Sequence, residues 1–200
     1  MNQEENTEDL EEVKKKDENS EKKKRFELKD IIFLAIISAI ITLANFITVP
    51  LVVAIPLVGI RQLVSAFPQG LLFTIGVLKV RKNGAILFMA FLTGIVLIPI
   101  SWVIFAFNIF AGVISELIVL IIFRNFKKNL AIIVGCSIYN PLTLPGAFLI
   151  QLWASEPIAQ YIENPFLTIL MFILSLAVSL LGCLLGLKIG KSLKKAGKLS

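Results

Sequence analysis

Two charged side chains interrupt long apolar runs of this 200-residue sequence, and they are the first places where chemistry is possible. Arg61 lies in PLVGIRQLVSAFP and Glu116 in AGVISELIVL. An ionisable group inside a membrane-length apolar run is costly to desolvate unless it faces a partner or a polar cavity. For Arg61 the alternatives are a guanidinium that faces a ligand or partner and a long side chain that snorkels to the outer headgroups. For Glu116 they are an ion pair or hydrogen bond with a basic residue of another helix and the ion-coupling carboxylate of a secondary transporter. A third irregularity is Tyr139-Asn140-Pro141-Leu142-Thr143-Leu144-Pro145-Gly146, with two prolines in one apolar run. Each proline lacks a backbone donor and frees a carbonyl, which in lipid requires protein or a polar cavity to satisfy it. Asn140 and Thr143 are placed to face such a cavity; a plain proline kink is the other reading. Trp102, Asn108, Gln151 and Trp153 lie toward the same ends of their runs, and Tyr161 lies in the connection to the last one. Trp and Tyr there serve as interfacial anchors, the role expected first of Trp153 and Tyr161. In a binding site, aromatic faces would instead sandwich a flat ligand while amides orient it, and Asn108, well inside its run, fits that use best.

Other chemistry is removed by composition. There is no histidine, so Ser/His/Asp and Cys/His nucleophiles and histidine zinc sites cannot be assembled. The two cysteines, Cys136 and Cys183, sit in apolar runs and read as packing residues. Gly186-Leu-Lys-Ile-Gly190-Lys191-Ser192 imitates a phosphate-binding loop, but the first glycine is one residue too close and the context is a helix end. No enzymatic activity, cofactor, metal or nucleic-acid partner is expected.

The elements that must position these residues follow from a sequence that is 56% hydrophobic and 17% charged. Eleven of its fourteen acidic residues fall between Glu4 and Asp30. Residues 1–27 therefore read as a disordered, charged cytosolic tail that cannot bury enough apolar surface to order itself. From there to about residue 190, six apolar runs approach the roughly 20 residues needed to cross a bilayer. They are Asp30–Val49, Leu57–Leu78, Gly84–Ile100, Trp102–Phe123, Asn129–Leu152 and Pro165–Leu187. Lys and Arg cluster before the first run, at Lys79–Lys82, at Arg124–Lys128 and in a basic C-terminal tail, residues 191–200, with Lys188 just before it. Cytoplasmic loops collect basic residues, so both termini are expected inside. The fold class predicted is an all-α integral membrane protein of six transmembrane helices lying in the lipid bilayer of the cell membrane. Two small-residue faces, Ala35/Ser38/Ala39/Thr42 and Gly182/Gly186/Gly190, would let helices approach closely, within the protein or against a partner.

Together these features resemble the substrate-binding S components of energy-coupling factor (ECF) importers, a class of ABC transporter. The resemblance covers about residues 26–195 and rests on FELKDIIFLAIISAIITLANF with its Ala35-x-x-x-Ala39 motif, the basic turn Lys79-Val-Arg-Lys-Asn-Gly84, and AGVISELIVLIIFRNFKK. It implies a six-helix bundle that captures a vitamin or vitamin precursor from outside. Transport would require a membrane coupling subunit and two cytosolic ATPases. By the same resemblance Ala35, Ser38, Ala39 and Thr42 would contact the coupling subunit. The ligand would lie in the outer half, near a loop at Pro50–Pro56, with Arg61, Trp102, Asn108, Tyr139, Asn140, Thr143 and Gln151 as candidate contacts. The rival classes are an autonomous secondary transporter or facilitator and a non-transporting membrane scaffold.

Overall fold

The computed structural model describes residues 26–54, 59–154 and 162–195, of which 49–54 and Lys194 are described in backbone only. The expected charged tail lies almost wholly outside these residues, as does Tyr161. The described residues are all-helical: α1 (Leu28–Ala54), α2 (Ile60–Val80), α3 (Ala85–Leu97), α4 (Trp102–Phe123), α5 (Asn129–Trp153) and α6 (Pro165–Lys195). All but α3 are long and apolar enough to cross a membrane. The 13 residues of α3 rise about 20 Å at 1.5 Å each, and a turn at residues 98–100 completes the third run.

Two boundaries differ from expectation. α1 continues past Pro50 to Ala54, so this part of the expected Pro50–Pro56 loop is helical, and residues 55–58 lie outside the described ones. α6 continues to Lys195, because the run of lysines is compatible with a helix that has left the apolar layer. α5 stays helical through Pro141 and Pro145.

α2 and α5 form the centre, with α2 packed on α1, α5 and α6, and α4 closing on α3 and α5. The closest approach is between α2 and α6. A Cβ at Gly182 would strike the carbonyl oxygen of Phe67, and one at Gly186 that of Leu71. The glycine face is therefore used for internal packing, where backbone proximity replaces the hydrophobic effect as the source of helix attraction. The outward faces carry Ile32, Leu43, Ile121 and Phe166, all exposed, as lipid contact requires.

The basic turns meet at one end. Arg81, at a left-handed φ of 49°, ends α2 and donates from Nη1 to Lys127 O and from Nη2 to Asn129 Oδ1, each at 2.9 Å. Lys82 pairs with Asp30 at 2.8 Å. The α2–α3 turn is thus fastened to the start of α1 and to the α4–α5 turn.

Candidate functional site

At the opposite end, the first halves of α2 and α4 and the second halves of α1 and α5 surround a cavity of about 160 Å³. Arg61, Asn108, Asn140 and Thr143 line it, and so do Asn45, Gln62, Ser65 and Gln69, against apolar walls of Leu97, Ile104 and Phe107. The four on α1 and α2 were not singled out from sequence. The signal was present, since Gln62, Ser65 and Gln69 recur at i, i+3 and i+7 and share one face of α2.

A directed chain of amides holds three helices together here. Asn140 Nδ2 on α5 donates to Gln69 Oε1 at 2.6 Å and lies 3.1 Å from Ser65 Oγ. Gln69 Nε2 donates onward to Asn45 Oδ1 on α1 at 3.3 Å. The Ser65 hydroxyl donates to Arg61 O at 2.8 Å, so toward Asn140 it acts as acceptor. In this arrangement, half a turn of the Asn140 amide alone would set two carbonyl oxygens against each other. Asn140 Oδ1 is then left buried with no donor among the described residues. Arg61 stands at the exposed side of the cavity, and among the described residues no carboxylate pairs with it.

The other expected contacts sit elsewhere. Tyr139 is buried one layer away, stacked on Phe73 at 4.3 Å, and its hydroxyl donates to Asn108 Oδ1 at 2.7 Å. Asn108 Nδ2 in turn donates to Ile104 O at 2.6 Å, so this amide is largely engaged by the protein. Trp102 packs edge-on against Trp153 at 6.3 Å, both exposed, outside the cavity lining. Gln151 is also outside the lining. The position of both tryptophans suits interfacial anchors.

Among the described residues, neither a basic side chain of another helix nor a second buried acid is paired with Glu116. Its carboxylate accepts the backbone N–H of Gly84 and, at 3.4 Å, that of Leu87, the residues that open α3. The first N–H groups of a helix have no partner inside the helix, and the helix dipole favours negative charge there. Gly84 adopts φ 90°, a conformation that glycine accommodates, and this turns its N–H toward Glu116. Glu116 is therefore a cap supplied by α4 to α3, at the basic end and far from the cavity.

The small face of α1 divides. Ser38 and Thr42 are buried at 3% and 5%, and the Thr42 hydroxyl turns back to Ser38 O. Ala39 is exposed and Ala35 half-buried, beside the exposed Ile32, Ile36 and Leu43. Only the two alanines remain accessible to a neighbouring protein.

No protein-family model, curated protein or solved structure matches the chain at a significant level.

Proposed function

We propose that this protein is the substrate-capture subunit of an energy-coupling factor importer, with six spans and both termini in the cytoplasm. It takes a vitamin-like small molecule from outside into the cavity beside Arg61 and Asn140. Delivery then depends on a membrane coupling subunit that docks on Ala35 and Ala39 of α1 and on two cytosolic ATPases. The observation that carries this reading is the cavity. It sets polar side chains of α1, α2, α4 and α5 against apolar walls, lies at the end away from the basic turns, and joins α5 through Gln69 to α1, the helix that bears the docking alanines. Filling it changes the environment of a hydrogen-bond chain that ends on the helix facing the coupling subunit.

Two features weigh against the rival classes. Glu116 is committed to the backbone of α3, which leaves the described part of the membrane region without an evident coupling carboxylate. The glycine face of α6 is spent on α2, which removes the main surface for a scaffold. The direct test is mass spectrometry of small molecules released from gently purified protein, together with affinity capture from the native membrane. A released small molecule and a captured coupling subunit with ATPases are expected; a ligand-free protein with neither partner contradicts the reading.

A further inference from the structure

We propose that the substrate taken by the cavity is a small organic monoanion, a carboxylate on an apolar body the size of a single ring, with Arg61 as its counter-ion. This rests on the reading that the cavity is the substrate site, and adds the charge and size of the molecule that enters it.

The place of Arg61 on α2 turns it toward the cavity. It precedes Ser65 and Gln69 by four and eight residues, and residues four apart share a helix face. Ser65 and Gln69 are buried and meet Asn140 of α5, so this face looks into the bundle and not into lipid. Arg61 lines the cavity with both of them. It is the outermost of the three and the exposed one, which sets it at the cavity mouth.

A charge at that position needs a counterpart. A guanidinium does not lose its proton in a protein, so Arg61 cannot escape desolvation by becoming neutral as a lysine does. Among the residues lining the cavity it is the one ionisable side chain, and among the described residues no carboxylate pairs with it. Asn45, Thr48 and Gln62 in the same lining are neutral, and they offer a ligand donors or acceptors without altering the charge balance. A single positive charge at membrane depth is stabilised by a single negative one. A carboxylate matches it in charge and in shape, since the guanidinium fork donates to both oxygens. A phosphate monoester, near −2 at neutral pH, brings an excess of negative charge.

The body of the ligand is set by the walls. A cavity of about 150 Å³ holds a benzene-sized ring, and this one is about 160 Å³. Leu97, Ile104 and Phe107 give that ring apolar contact.

Acids and amides of one shape isolate the charge. Benzoate and cyclohexanecarboxylate are compared with benzamide and cyclohexanecarboxamide, and phenyl phosphate supplies the dianion. Thermal stability of the full chain, dialysed in a non-ionic detergent, is measured with each at millimolar concentration, and calorimetry gives the affinities. At least one acid is expected to bind at least about tenfold, or about 1.4 kcal/mol, more tightly than its amide and than phenyl phosphate. Arg61→Gln should remove that advantage and leave the amides unchanged, with Arg61→Lys between the two. Size-exclusion chromatography checks that the variants fold, and the comparison of acid with amide on the wild type stands without them. No binding of either acid overturns the proposal. So do amides or phenyl phosphate that bind as well as the acids, and acid affinity unchanged in folded Arg61→Gln.

Two other sources of negative charge give different results in the same assay. Glu156, in the α5–α6 connection and outside the described residues, is the in-chain source. As counter-ion of Arg61 it would let the acids bind only after Glu156→Gln. A lipid headgroup would make phosphatidylglycerol stabilise the wild type but not Arg61→Gln, with no effect of the acids. Either result overturns the proposal. Amides that bind as well as the acids would leave the cavity as the substrate site and remove only the anion, and co-purification of a coupling module is read independently of both.

Discussion

The side-chain amide of Asn140 on α5 donates to the side-chain carbonyl of Gln69 on α2 at 2.6 Å, and Gln69 passes the same polarity on to Asn45 of α1. Three helices that would otherwise meet through apolar contacts alone share one directed hydrogen-bond chain along the cavity wall. Such chains strengthen cooperatively in a low dielectric, and a missing member leaves its neighbours unpaired at high cost.

Gln69→Leu removes the central member. It should destabilise the protein by about 1–3 kcal/mol, seen as a lower melting temperature in detergent, and weaken ligand binding in parallel. Equal stability of the leucine variant and wild type would mean that the chain does not form.

Glu116→Ala takes the cap from α3 and should cost about 1 kcal/mol by leaving part-buried N–H groups without their acceptor. Glu116→Gln preserves an acceptor oxygen, so it should be milder and should keep substrate uptake. Thermal melts and cellular uptake measured on both variants check this. An ion-coupling carboxylate predicts the reverse for uptake, with loss in the glutamine variant despite a normal fold.

At the α2–α6 contact, Gly182→Val forces a side chain against the Phe67 carbonyl, where atoms of backbone must move. Overpacking of this kind costs about 1–3 kcal/mol, and the same substitution at the exposed Leu181 should cost much less. Melting temperatures of the two variants in one detergent give the comparison.

The helical bundle and its charged end were legible because lipid-length apolar runs and basic turns are strong, local signals. Arg61, Asn108, Asn140 and Thr143 were legible as polar interruptions of such runs, and the cavity gathers all four. Gln69 and Asn45 are equally polar interruptions, but their importance comes from amides on three different helices meeting, which no spacing within one run records. Glu116 shows the opposite difficulty. Its residue type suggested a charged partner, whereas its real partners are backbone N–H groups of a turn 32 positions earlier. The half-turned face of α1 was hidden for a similar reason, since Ala35 and Ala39 share a helical stripe with Ser38 and Thr42 but only packing decides which pair is covered.

That division yields a contrast on α1. Ala39→Trp, on an exposed position, should leave folding and ligand affinity intact while abolishing uptake in cells that contain the coupling module. Ser38→Trp, at a site 3% exposed, should impair folding itself. Loss of affinity in folded Ala39→Trp would separate this face from docking and tie it to the ligand.

The central claim, capture by this chain and delivery by partners, is tested most directly by uptake into proteoliposomes of the small molecule that the purified protein releases. Liposomes holding this chain alone should bind the molecule without accumulating it, and adding the coupling subunit and ATPases with ATP should produce accumulation. Accumulation driven by an ion or substrate gradient through this chain alone would contradict the account.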